Sequence, residues 1–150
     1  MSDGAPLTAQ DMWEQRYATA EYVYGTEPNT FLRDNLASLP LGAALCLAEG
    51  EGRNAVFLAG SGREVHSVEV IPTLAETARQ RLAAHGFDVA VHAGDGRIGH
   101  VAASPYDAII VTAASDDIPP ALVEQLRIGG RLVIPLGRPL ETQHLVRAVK

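Results

Sequence analysis

Ala43-Ala44-Leu45-Cys46-Leu47-Ala48, followed at once by Glu49-Gly50-Glu51-Gly52-Arg53-Asn54-Ala55, is the stretch on which the fold turns. An unbroken apolar run of this length predicts a strand covered on both faces, because a half-exposed strand would alternate with polar residues. The glycine-rich turn after it leads into a short helix holding Val56, Phe57 and Leu58, which Gly60-Ser61-Gly62 closes. Downstream, the same rhythm returns. Glu64 to Val70 reads as a second strand, and Pro72 suits the first turn of a helix with Leu74, Ala75, Ala78 and Leu82 on one face and Gly86 as terminator. Val89-Ala90-Val91 is a short third strand, and Tyr106 to Thr112 is the strongest strand signal of all. Pro119-Pro120 predicts a helix that stops at Gly129-Gly130, with strands at Arg131 to Leu136 and His144 to Val149. Upstream, Thr8 with Asp11 reads as a capping box for a helix through Trp13 and Tyr17. Asn29 reads as the cap of a helix whose stripe is Phe31, Leu32, Leu36 and Leu39, ended by Pro40 and Gly42. Strands alternating with helices predict an α/β, Rossmann-like fold: a mostly parallel sheet with helices on both faces.

The chain has 150 residues, 47% hydrophobic and 20% charged, with net charge −6. That length fits one domain, which hides roughly 70% of its unfolded surface. We expect residues 1–42 to form a helical cap and residues 43–150 the α/β core. The acidic balance speaks against nucleic acid, which needs clustered positive charge. No apolar run approaches the ~20 residues that span a bilayer, and Met1-Ser2-Asp3-Gly4 lacks the look of a secretory signal. The expectation is a cytoplasmic chain with no membrane partner. The single cysteine, Cys46, rules out an internal disulfide and reads as core. His66, His85, His92, His100 and His144 show no metal-like spacing, so no metal is expected.

In such sheets ligands sit beyond the carboxyl ends of the strands. Three acids fall there: Glu49 after the first strand, Glu69 closing the second, and Asp95 between Gly94 and Gly96 after the third. Gly50 to Ala55 also fits the dinucleotide pattern G-x-G-x-x-G/A, with Glu69 where a ribose-binding acid belongs. An NAD-type oxidoreductase is therefore one reading. Electrostatics count against it, because a pyrophosphate near Glu49 and Glu51 meets like charges that repel by ~3 kcal/mol at ~5 Å and an effective dielectric of 20. S-adenosyl-L-methionine, with its ammonium and sulfonium, suits the turn better. Glu49 would attract the cationic end, and Gly50 and Gly52 would admit the backbone closely. Glu69 would bind the ribose hydroxyls and Asp95 the adenine amine, with Val70 covering the ring.

Residues ~12–60 resemble the tellurite-resistance and thiopurine-type small-molecule methyltransferases, through Trp13-Glu14-Gln15-Arg16-Tyr17, Tyr24-Gly25-Thr26-Glu27-Pro28-Asn29 and Cys46 to Asn54. Residues ~63–150 resemble the protein-L-isoaspartate O-methyltransferases. The matching stretches are Val68-Glu69-Val70-Ile71-Pro72, Ala93-Gly94-Asp95-Gly96, Pro105 to Ala114 and Gly129 to Gly137. Both branches are class I S-adenosylmethionine-dependent enzymes, which implies a methyltransferase with that cofactor. The change of resemblance suggests a chimera joined near Gly60-Ser61-Gly62, and a C-terminally shortened one. By the resemblance to the small-molecule branch Trp13 would cover the methionine end of the cofactor, beside the alternative that it anchors a short helix on the sheet edge; Asn54, which either holds the glycine turn or begins its helix, is expected at the cofactor with Gly96 and Thr112. Asp116 and Asp117 are candidates for binding the acceptor, either a small molecule or an isoaspartyl peptide. No catalytic residue is named, because a carboxylate or thiolate acceptor needs no general base. A binding-only module stands beside the enzyme as a second reading, and the sheet edge leaves monomer or homodimer open.

Overall fold

A computed structural model describes residues 6–19, 21–138 and 140–150. Residues 1–4, read above for a signal, lie outside the described residues. The strands are β1 (Ala43–Leu47), β2 (Glu64–Glu69), β3 (Val89–Ala93), β4 (Tyr106–Val111), β5 (Leu126–Leu136) and β6 (His144–Val149). They form one sheet in the order β3-β2-β1-β4-β5-β6. Every pairing is parallel except β5 with β6. The helices are α1 (Ala9–Arg16), α2 (Thr30–Asn35), α3 (Arg53–Gly60), α4 (Pro72–Ala84) and α5 (Pro120–Gln125). Winding reverses between β1 and β4, which opens a crevice at the carboxyl edge of the sheet.

Strand alternation distributes β1 between two cores. Ala44 and Cys46 meet Leu32, Leu39, Ala55 and Leu58 on one face, while Leu45 and Leu47 meet Tyr106, Leu122, Leu132 and Ile134 on the other. Leu58, Leu45, Leu122 and Ile134 are among the largest fully buried side chains, each worth about 1.5–3 kcal/mol relative to exposure. Ala75, Ala78 and Leu82 of α4 pack with Val91 and Val56. The four-residue face read from the sequence is thus the buried one. Among the described residues, no helix is long and apolar enough to cross a membrane.

Three boundaries differ from expectation. The helix after Pro119-Pro120 stops at Gln125, and β5 begins at Leu126, inside the stretch expected to be helical. Leu126 pairs with Tyr106 and Arg131 with Ala108, so residues 127–130 bulge out of register. The bulge is held by the chain end: the Gly129 amide donates to the Lys150 carbonyl at 2.8 Å, and Gly130 accepts from the Lys150 amide at 3.2 Å. Gly129, at φ +81°, supplies the left-handed backbone the bulge needs rather than a helix stop. Secondly, β3 runs on to Ala93. Finally, the stripe from Phe31 to Leu39 is not one helix, since α2 gives way to a 3-10 turn at Leu36–Ser38 and leaves Phe31 exposed.

Candidate functional site

A cavity of about 530 Å³ lies at the carboxyl ends of β1, β2 and β4, within the size range of small-molecule sites. Its floor is made by Ala48, Glu49 and Gly50 after β1, by Glu69, Val70 and Ile71 after β2, and by Thr112 after β4. Its roof comes from upstream: Trp13 of α1, Tyr17 at its C-terminal cap, then Tyr24 and Phe31.

The roof is placed by local rules. Thr8 and Asp11 form the expected capping box, the Asp11 amide donating to Thr8 Oγ1 at 3.1 Å and the Thr8 amide to Asp11 Oδ2 at 3.0 Å. Four residues along one helix face bring Trp13 onto Tyr17, ring centroids 5.9 Å apart and 21° from parallel. The Tyr17 hydroxyl stands over Gly50, whose φ is +59° and where a Cβ would collide with that ring. Burial pushes the Tyr17 phenol up to about 12.

The floor is an acceptor network. Gly52 is the N-cap of α3 at φ +81°, with no side chain to offer the first amides. Glu49 supplies the missing acceptor: its Oε2 accepts from the Asn54 and Ala55 amides, each at 3.1 Å, and its Oε1 accepts from Asn54 Nδ2 at 3.0 Å. Asn54 Oδ1 then accepts from the Asn29 amide at 2.8 Å, which fastens the start of α2 to the glycine turn. Burial raises the Glu49 carboxyl above its ordinary value, against the lowering effect of these donors. Glu69 is buried, with Oε1 accepting from the Ile71 amide at 3.1 Å. The Thr112 hydroxyl donates to the Ala48 carbonyl at 2.6 Å and ties the ends of β4 and β1 together.

Trp13, Glu49, Gly50, Asn54, Glu69, Val70 and Thr112 therefore line one cavity. Gly52 stands behind it, packed toward Leu82. Asp95 and Gly96, expected at the site, do not line it. Asp95 is exposed and caps the 3-10 turn at Gly96–Ile98, accepting from the Arg97 amide at 2.9 Å, while Gly96 packs toward Leu47. Asp116 and Asp117 are also exposed and outside the lining. Asp117 pairs with Arg97 at 3.1 Å. The charges around the turn also differ from expectation. Glu51 faces away from the cavity, held by Arg81 at 2.9 Å and the Val23 amide at 2.9 Å. The acids that face the cavity are Glu49 and Glu69.

Tyr17 and Tyr24, expected as packing or surface residues, and Arg53, expected in solvent or against an anionic acceptor, also line the cavity, and Arg53 Nη1 donates to the Tyr24 carbonyl at 3.0 Å. Arg147 and Leu145 of β6 reach the far wall. The i, i+4 spacing of Trp13 and Tyr17 signals the first of these. Nothing local signals Arg147, which arrives through the antiparallel pairing of β6. The histidines differ from expectation as well: His66, His92 and His100, which show no metal-like spacing along the sequence, come together in the fold.

A family model described as protein-L-isoaspartate(D-aspartate) O-methyltransferase (PCMT) matches residues 34–150. The Protochlamydia amoebophila protein-L-isoaspartate O-methyltransferase is 44% identical over 112 residues, covering 74% of this chain and 53% of that relative. The Rhodopseudomonas palustris one is 39% identical over 146 residues, 97% of this chain and 62% of its own length. A solved protein-L-isoaspartate O-methyltransferase superposes with TM-score 0.64 at 32% identity, over 71% of this chain and 34% of that one. A Plasmodium falciparum structure in complex with S-adenosyl-L-homocysteine, at 17% identity and TM-score 0.67, covers 94% of this chain and 80% of its own and shares the fold. The chain spans about half the length of the curated relatives it matches. The chimera and the tellurite-type resemblance find no support here. The family match runs unbroken through residues 60–62, and one relative spans both expected halves. With its doubly wound sheet, crevice and match over residues 34–150, the chain belongs to the protein-L-isoaspartate(D-aspartate) O-methyltransferase family.

Proposed function

We propose that this chain binds S-adenosyl-L-methionine in the 530 Å³ cavity and methylates an isoaspartyl carboxylate of a peptide or protein. One observation carries the reading: the cavity at the strand ends has two buried carboxylates on its floor, while the two arginines of its lining stand off that floor, Arg53 donating to the Tyr24 and Glu27 carbonyls and Arg147 lying on β6. Such a set suits a cationic nucleoside better than a diphosphate. The residues fit the group. Gly50, at φ +59°, lets the turn pass beneath the Tyr17 ring that any side chain would strike, and Glu69 has one oxygen on the Ile71 amide and a second available to a ribose diol.

When bound, S-adenosylmethionine supplies an electrophilic methyl group on a sulfonium that departs as a neutral thioether. The chain's own residues hold and align. Glu49 attracts the ammonium, Val70 and Ile71 cover the adenine, and Trp13 with Tyr17 shields the reacting end from water. Arg147, on the opposite wall, offers a positive charge to an acceptor carboxylate. A carboxylate is already a nucleophile, so no general base is required, and alignment alone can supply about 7–11 kcal/mol.

The test is calorimetric titration with S-adenosyl-L-homocysteine, together with labelled-methyl transfer to an isoaspartyl peptide and to its aspartyl isomer. Wild type is expected to bind, Glu69→Ala to bind at least tenfold more weakly through loss of charge-assisted hydrogen bonds, and label to appear only on the isoaspartyl peptide. Binding without transfer reduces the reading to a cofactor-binding module. No binding removes it.

A further inference from the structure

On the face of the sheet away from α3 and α4, three imidazoles meet. His66 lies in β2, His92 in β3, and His100 beyond the turn that follows β3. One nitrogen from each ring falls within 4.8 Å of the other two. His66 Nδ1 and His92 Nε2 are 3.2 Å apart. Two nitrogens bound to one tetrahedral zinc at ~2.0–2.1 Å stand about 3.4 Å apart, so this pair already has the spacing of two ligands. The other nitrogen of His66, Nε2, meets Glu64 Oε1 at 3.1 Å. A carboxylate on the outer nitrogen fixes the tautomer and turns the Nδ1 lone pair inward, as outer-shell carboxylates do behind metal-bound histidines. Nonlocal pairing builds the cluster. The parallel register sets Val68 beside His92, which puts His66 two residues away on the same face. Gln125 then fixes the third member, its Oε1 accepting from the His100 amide at 2.8 Å. Tyr106 donates to the His100 carbonyl at 2.7 Å and presents its ring edge to His66.

From this geometry we propose that His66, His92 and His100 bind one divalent transition-metal ion of the zinc class, with Glu64 as the residue that orients His66. The donor set selects the ion: three neutral imidazoles suit Zn²⁺, Co²⁺, Ni²⁺ or Cu²⁺ and not the oxygen-seeking Mg²⁺ or Ca²⁺. Three protein ligands leave a fourth position for water. His92 and His100 stack with ring centroids 3.8 Å apart, so loading splays this pair until both lone pairs point at the ion. The bound ion clamps β2, β3 and the segment after Gly99 together. It lies away from the cofactor cavity, whose lining contains none of the three histidines, and its test does not depend on the methyltransferase reading.

Untagged, metal-free protein is titrated with Co²⁺ and with Zn²⁺, followed by visible absorption and calorimetry. The expected result is one equivalent bound, with the d–d bands of a four-coordinate nitrogen site, and a melting midpoint raised by roughly 5–10 °C at a hundredfold excess over Kd. His66→Gln, His92→Gln and His100→Gln are each expected to abolish the bands, and Glu64→Gln to weaken binding about 10–100-fold. The double variant His85→Ala/His144→Ala is expected to bind as wild type does. Far-UV circular dichroism and the metal-free midpoint verify folding, and a variant that fails them is replaced by the corresponding Asn substitution. Absence of saturable uptake, Mg²⁺ displacing Co²⁺, or uptake that persists in the His66 and His92 variants overturns the site.

Discussion

Glu49 carries two demands on one carboxylate: it caps α3 and faces the cavity. Burial holds its pKa above the ordinary glutamate value, which means the folded chain binds that proton more tightly than the unfolded chain does. Stability without ligand therefore falls as pH rises from the ordinary value through the raised one, and above that interval the cost of the buried charge is fully present. An ammonium placed nearby favours the ionised form, so the affinity for S-adenosylhomocysteine is expected to rise with pH across the same interval. Glu49→Gln removes the titration. Its melting midpoint is expected to lose this dependence on pH, and its affinity at neutral pH to fall by about 1.5–3 kcal/mol, the worth of a charge-assisted hydrogen bond. Melting curves from pH 4 to 8 with parallel calorimetry decide the matter, and an affinity that does not change with pH in wild type means no cation sits beside Glu49.

At the scale of elements, what was legible in the sequence was whatever periodicity alone determines. The apolar run at β1, the α4 face of Leu74, Ala75, Ala78 and Leu82, and the capping box at Thr8 are local patterns, and each forms as read. What was not legible depends on partners distant in the chain. Gly129-Gly130 has the composition of a helix stop, yet the bonds of those residues go to Lys150. Asp95 has the position of a ligand-binding acid, yet the turn after β3 points it at its own backbone. His66 and His92 become neighbours only through strand register, and His100 joins them through its bond to Gln125. Arg63 is another such residue, buried and joined to four partners. Its Nε donates to the Pro40 carbonyl at 3.1 Å, Nη2 to the Leu39 carbonyl at 2.8 Å and more distantly to Leu36, and Nη1 to Ser61 Oγ at 2.6 Å. This guanidinium fastens the approach to β1 onto the start of β2. Arg63→Met leaves those carbonyls short of donors. It is expected to cost about 2–4 kcal/mol, a drop of roughly 5–15 °C in Tm, with little change in S-adenosylhomocysteine affinity at temperatures where the variant is folded. A midpoint within a degree of wild type would show that the approach to β1 holds without it.

Taken as a whole, the molecule joins a firmly packed sheet to a lightly held roof. Both cores draw on β1 and β4, whereas α1 has no buried residue. Contacts from this roof to the rest of the chain include the Tyr17 ring against Gly50, a hydrogen bond from Thr73 Oγ1 to Glu14 Oε1 at 3.1 Å, and, just past α1, one from Arg81 Nη2 to the Thr19 carbonyl at 3.0 Å. Few apolar contacts and exposed backbone bonds mean a low free energy of local opening. The roof also precedes residue 34, where the family match begins, so the cover over this cavity comes from outside the matched stretch. A ligand filling the cavity gives Trp13 and Tyr17 the apolar contact they lack, and the roof should then close as binding proceeds. Hydrogen exchange is expected to be fast in α1 and slow in β1 and β4 without ligand, and saturating S-adenosylhomocysteine is expected to slow α1 selectively. Because Trp13 is the single tryptophan, its fluorescence reports the same event, and Trp13→Phe is expected to lose the signal while retaining most of the affinity. If exchange in α1 and the emission of Trp13 both ignore a ligand that calorimetry shows to be bound, the ligand lies on the floor alone and α1 takes no part in enclosing it.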